Sequence, residues 1–135
     1  MILPILSYGS PILRKECDEF EEGESLKELV SNMFETMYAA SGVGLAGPQI
    51  GISKRIFTVD ASPFAEPEEG EKLDEKLKEL KDFKKVFVNP IIENETGSPW
   101  PFSEGCLSIP GIREDVERKA VIKISYYDEN WNFFE

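Results

Sequence analysis

Apolar side chains recur along residues 25–40 at the spacing of one helix face. Leu26, Leu29, Val30, Met33, Phe34, Met37 and Tyr38 fall at i, i+3, i+4 and i+7 intervals, which predicts an amphipathic helix packed on a core. Ser25-Leu26-Lys27-Glu28 carries the capping-box pattern, a hydroxyl and a carboxylate placed to satisfy the exposed amides of a helix start. Gly42 is the expected C-terminal stop.

Elsewhere the pattern shortens to apolar runs of strand length. Arg55-Ile56-Phe57-Thr58-Val59-Asp60 predicts one strand. Residues 85–92 predict a second, which ends or bulges at Pro90 because proline gives no ladder amide. Residues 120–127 predict a third, and Asp128-Glu129-Asn130 turns the chain into a hairpin partner at residues 131–134. Near the start, residues 5–13 read as an extended segment with a turn at Tyr8-Gly9-Ser10-Pro11, followed by one helical turn at Pro11-Ile12-Leu13-Arg14. Residues 42–49 are too rich in glycine for a helix and too irregular for a plain strand. Residues 93–100 read as a turn-rich link. Leu73, Leu77 and Leu80, spaced among Glu and Lys, predict a charged surface helix within an insertion at about residues 66–84. Strands run together with one helix to cover them, so the expected class is α+β, with antiparallel or mixed sheets packed around an amphipathic helix.

The 135 residues suit one domain. A formal net charge of −11 repels phosphate backbones and anionic lipid, which argues against nucleic-acid or membrane binding through basic patches. The two cysteines, Cys17 and Cys106, lie far apart with no CxxC spacing, so no disulfide framework is expected and a reducing compartment is. The opening apolar stretch is short, broken by Pro4 and without a basic leader, unlike a signal peptide. No run reaches the roughly 18 apolar residues of a membrane span, and the expected location is the cytoplasm. The chain contains no histidine.

Two segments offer chemistry. In Gly42-Val43-Gly44-Leu45-Ala46-Gly47-Pro48-Gln49 the glycines suit a tight loop, and a phosphate cradle is disfavoured because no Lys-Ser/Thr follows and Pro48 interrupts. Gly42 and Gly44 would also let a ligand backbone approach as an added strand. Gln49 could then aim an amide N–H₂ at a developing oxyanion. In Glu104-Gly105-Cys106-Leu107-Ser108 the cysteine is a small hydrophobe, a nucleophile or a metal ligand. A thiol hydrolase needs a histidine base and a metal needs further ligands, and the sequence supplies neither.

Together these segments resemble the peptide deformylase family, whose motifs are a GxGLAAPQ loop, an EGCLS segment and a late HExxH helix. The opening Ile5-Leu6-Ser7-Tyr8-Gly9-Ser10-Pro11-Ile12-Leu13-Arg14 and the stretch Ser108-Ile109-Pro110-Gly111-Ile112-Arg113 are similar to the family as well. Gly47 stands where the family usually has alanine, a tolerable loss of one methyl. The HExxH motif is absent. The expectation is therefore a deformylase fold incomplete at its C-terminus; the alternative is a shortened, non-catalytic relative that binds peptides.

The resemblance implies metal-dependent hydrolysis of the N-formyl group from formyl-methionyl nascent chains at the ribosome, releasing formate. It implies Fe²⁺, replaceable by Zn²⁺, Ni²⁺ or Co²⁺, held by Cys106 and two histidines that this chain lacks. The oxyanion would be held by the metal, the Leu107 backbone N–H and the Gln49 side chain. The substrate would lie extended along Val43 and Gly44, with Gly105 as a further backbone contact and Arg113 at the mouth of the cleft. Glu104 and Arg118 are expected to pair and support the cysteine segment. The chain as it stands is expected to bind metal weakly, to show no turnover and, with Trp131, Phe133 and Phe134 at its end, to be aggregation-prone.

Overall fold

A computed structural model describes residues 1–65 and 81–135, although a few side chains inside these spans, that of Glu104 among them, fall outside the description. The expected insertion helix therefore lies outside the described residues. The described chain forms one helix, α1 (Lys27–Ala39), and five strands: β1 (Gly44–Ala46), β2 (Ile56–Asp60), β3 (Lys84–Cys106), β4 (Ile109–Tyr127) and β5 (Phe133–Phe134). The strands form a single sheet in the order β1-β2-β3-β4-β5, every neighbouring pair antiparallel. The α+β class is as the pattern predicts.

Helix α1 lays its apolar stripe on this sheet. Met33 and Met37 are fully buried and meet Leu45 of β1, Ile56 of β2 and Val86 and Val88 of β3 in one core, with Leu26 and Val30 at the near end. Truncating either methionine to alanine would cost about 2–5 kcal/mol. Two details differ from the periodic reading. Tyr38 leaves the core and is 46% exposed, while Thr36 is buried and its Oγ1 accepts the Leu3 N–H at 2.8 Å. The capping box does not form: Leu26 is the N-cap and makes no side-chain capping bond.

The helix end also differs in its cause. Ser41 N–H donates to the Tyr38 carbonyl at 3.0 Å and Gly42 N–H to the Met37 carbonyl at 2.9 Å, the paired bonds of a Schellman stop. In that motif the left-handed position belongs to Ser41, whose φ is 57°, and not to Gly42.

The expected link at residues 93–100 is instead continuous strand. β3 and β4 run as one long ribbon from Val88↔Tyr127 to Cys106↔Ile109, with register shifts at Val88/Ile91, Ile92/Asn94, Thr96/Pro99 and Gly105/Cys106. The expected bulge at Pro90 is the first of these, and Asn89 enters it with φ 50°. Extended chain from Val88 to Cys106 would reach roughly 60 Å at ~3.3 Å per residue. The tip nevertheless touches the residues just after β1, so the bulges must bend the ribbon back over the sheet.

Candidate functional site

The edge strand β1 passes directly into a 3₁₀ turn, Gly47–Ile50, that carries Gln49. Proline at the start of this turn sets a helical φ and needs no amide partner there. Cys106 closes β3, and the short turn at Leu107 and Ser108 reverses the chain into β4. The bent ribbon brings this turn onto Gln49, whose Nε2 lies 3.5 Å from Cys106 Sγ and 3.3 Å from Ser108 Oγ. Gln49 Oε1 accepts the Ala46 N–H at 2.9 Å. A backbone amide can only donate, so it fixes the carboxamide with its oxygen toward β1 and its N–H₂ toward the sulfur.

The amino-terminal segment ties the two pieces together from behind. Leu6 N–H donates to the Gln49 carbonyl at 2.7 Å, and Tyr8 N–H to the Ser108 carbonyl at 2.8 Å. Residues 6–8 are thus a backbone strap between segments that sit 59 residues apart in sequence. Nothing in the residue types signalled it, since backbone hydrogen bonds carry no side-chain signature.

Strand β1 lies at the edge of the sheet. Val43 O accepts the Asp60 N–H at 2.9 Å, so its carbonyl turns toward β2, and antiparallel alternation then turns the Gly44 N–H and C=O away from β2. Cys106 and Gly105 are exposed, Gln49, Val43, Gly44 and Leu107 are half-buried, and Ser108 is buried. Arg113 is exposed and stands opposite Gly105. The register sets Glu104 against Glu114 and Arg118 against Trp100, so Glu104 and Arg118 are not cross-strand partners in the ladder. The site thus gathers Gln49, Cys106, Leu107, Ser108 and the β1 edge, with Arg113 at its margin.

The likeness to known proteins is not confined to these segments and runs over nearly the whole chain. The sequence profile described as "Polypeptide deformylase" matches residues 2–135. The chain belongs to the polypeptide deformylase family. Among curated members, the peptide deformylase of Christiangramia forsetii is 52% identical over 132 residues, 97% of this chain and 66% of its own length. That of Flavobacterium psychrophilum is 53% identical over 133 residues, 98% of this chain and 68% of its own. Among solved structures, a Synechococcus elongatus peptide deformylase in complex with actinonin superposes with a TM-score of 0.78 at 33% identity, covering 98% of this chain and 65% of that one. The Thermotoga maritima enzyme gives 0.81 at 31%, covering 99% and 79%. The chain spans about two-thirds of the length of the curated deformylases it matches.

Deformylases are metal-dependent, and the donor set here does not fit a catalytic metal. The chain has no histidine, and among the described residues no three His, Cys, Asp or Glu side chains cluster as ligands. A single thiolate does not hold a divalent cation in the three-ligand, open-position geometry that such hydrolysis requires.

Proposed function

We propose that this chain supplies the substrate edge and the oxyanion side of a deformylase site, which acts on the N-formyl group of formyl-methionyl peptides and releases formate. The observation that carries the reading is the carboxamide of Gln49 turned onto Cys106 beside an edge strand. A peptide laid antiparallel along β1 pairs with the outward N–H and C=O of Gly44. Its formyl group then reaches the gap between Gln49 and Cys106. There the Gln49 Nε2–H and the Leu107 N–H donate to the carbonyl oxygen as it gains charge; loss of one such donor typically costs about 3–4 kcal/mol of transition-state stabilisation. Gly105 gives a further backbone contact, and Arg113 stands where the peptide leaves the cleft. Glu104 and Arg118 support the ribbon that carries Cys106.

Cys106 is one thiolate ligand of the family's metal, with Fe²⁺ the proposed ion and Zn²⁺, Ni²⁺ or Co²⁺ able to replace it; the remaining ligands are not in these 135 residues. The natural substrates are nascent chains at the ribosome, and the protein works in the cytoplasm. Among the described residues no helix is long and apolar enough to cross a membrane.

The test measures formate released from a formyl-methionyl tripeptide by the protein as its natural gene encodes it, beside the 135-residue chain alone. Turnover by the gene product that Cys106→Ala abolishes is the expected result. Activity that survives Cys106→Ala sinks the proposal. The 135-residue chain should release no formate and carry well under one metal ion per chain by elemental analysis. A gene product that is equally inert yet binds the peptide would establish the peptide-binding alternative.

A further inference from the structure

We propose that Gly42 and the side chain of Leu107 form a steric couple that sets the distance between the Cys106 turn and Gln49. Glycine at position 42 is not needed for backbone conformation, since its φ lies outside the left-handed region and Ser41 fills the helix-stop position. It is needed for room. A Cβ built on Gly42 would stand 2.6 Å from Leu107 Cδ1, 3.1 Å from Cγ and 3.2 Å from Cδ2. The whole branched end of one leucine therefore rests on the bare α-carbon. The other glycine of the GxG pair is different: a Cβ at Gly44 would meet only the Thr58 carbonyl oxygen, at an ordinary 3.6 Å.

Gly42 cannot yield to pressure from Leu107. Its N–H is bonded to the Met37 carbonyl in the helix stop, and the carbonyl of the following residue, Val43, accepts from the Asp60 N–H in β2. Leu107 cannot swing away freely either, because it packs against the buried core cluster. It also sits between Cys106 and Ser108, the two residues that face the Gln49 carboxamide. A methyl group at position 42 is therefore relieved by moving the turn, which shifts the sulfur relative to Nε2. Leu107 acts here through its side chain as a positioning residue, apart from any role of its N–H. The couple rests on the deformylase reading only for its effect on turnover; the packing itself is read from thiol chemistry.

The experiment follows alkylation of Cys106 by iodoacetamide, resolved from Cys17 by peptide mapping, in wild type, Gly42→Ala, Leu107→Ala and the double variant. Gly42→Ala should change the Cys106 rate at least about twofold, the low end of coupling between touching residues, with the Cys17 rate unchanged. In the Leu107→Ala background the same substitution should have no effect. An equal effect in both backgrounds, or none in either, overturns the proposal. If Gly42→Ala alone unfolds the chain, the double variant decides: recovery of a cooperative melt supports the couple, and continued unfolding refutes it. Formate release plays no part in these outcomes, so failure of the deformylase reading is seen separately.

Discussion

Gln49 and Cys106, 57 residues apart in sequence, meet with the carboxamide nitrogen 3.5 Å from the thiol sulfur. The Ala46 N–H holds the other end of the same carboxamide, so the group presents a donor to Cys106 and cannot turn over without losing a bond. Gln49→Glu keeps the acceptor for Ala46 but places a carboxylate where the donor was. A negative charge at that distance opposes formation of the thiolate, the form that reacts. Alkylation of Cys106 near neutral pH should slow about threefold or more, while Cys17 is unaffected. An unchanged Cys106 rate would show that the donor does not face the sulfur.

The strap makes a prediction that separates backbone from side chain. Tyr8→Pro removes the N–H that pairs with the carbonyl of buried Ser108. Leaving such an acceptor unpaired costs about 1–3 kcal/mol. Tyr8→Phe removes only the phenol oxygen, which accepts from Arg14 Nη2 at 3.0 Å on the exposed surface, and should cost no more than about 0.5 kcal/mol. Urea melts of the two variants test this. Equal losses would mean that the strap contributes nothing beyond its side chains.

Helix α1 and strand β2 were legible because side-chain period reports a buried face directly. Residues 93–106 were not: Gly97, Pro99 and Pro101 carry turn chemistry, and the ribbon accommodates it through bulges that no pattern announces. The candidate site was legible through its motifs, which fix residue identity at Gln49 and Cys106. One of the two readings of Gly42, the left-handed helix stop, does not hold. A helix stop wants a left-handed residue and glycine is the usual choice, but Ser41 takes that position and the bare α-carbon serves a contact with a leucine far along the chain. Gly47 shows the same limit. A Cβ there would lie 2.9 Å from the Lys54 carbonyl oxygen and 3.0 Å from that of Ile52, so the missing methyl is space that this fold uses.

Asn89 anchors the first bend of the ribbon. It adopts φ 50°, and its carboxamide is used twice: Oδ1 accepts the Phe20 N–H at 2.9 Å and Nδ2 donates to the Phe20 carbonyl at 3.0 Å. Asparagine tolerates this backbone region better than most side chains. Asn89→Ala loses both bonds and the conformational tolerance, and should destabilise the fold by about 2–4 kcal/mol. Asn89→Gly restores the backbone freedom but not the bonds, and should recover only part of that loss. Full recovery by glycine in thermal melts would show that the carboxamide clamp is dispensable.

Where α1 meets the end of β2, the Tyr38 hydroxyl donates to Asp60 Oδ2 at 2.5 Å, and Asp60 Oδ1 accepts the Ser62 N–H at 2.9 Å. Hydrogen bonds from Ser62, then from Tyr38, hold the Asp60 carboxyl below the usual aspartate range, with Lys84 adding to the effect. Loss of solvent, followed by the bond to Asp60 and its charge, pushes the Tyr38 phenol up to about 12. The signs are opposite at the two ends of the scale. The Asp60 contribution is complete above the unfolded carboxyl's titration and is lost as pH falls through the depressed folded value. The Tyr38 contribution is complete below the unfolded phenol's titration, near 10.0, and is lost as pH rises toward 12. Tyr38 is nearly half exposed, so solvent screening keeps the bond's worth at the low end, about 0.5–1 kcal/mol. Tyr38→Phe should therefore lower stability by that amount near neutral pH. The gap between wild type and variant should shrink in acid, where Asp60 takes up a proton, and again above pH 10, where the unfolded phenol ionises. A gap that is constant from acid to pH 11 in urea midpoints would rule out the Tyr38–Asp60 bond as its source.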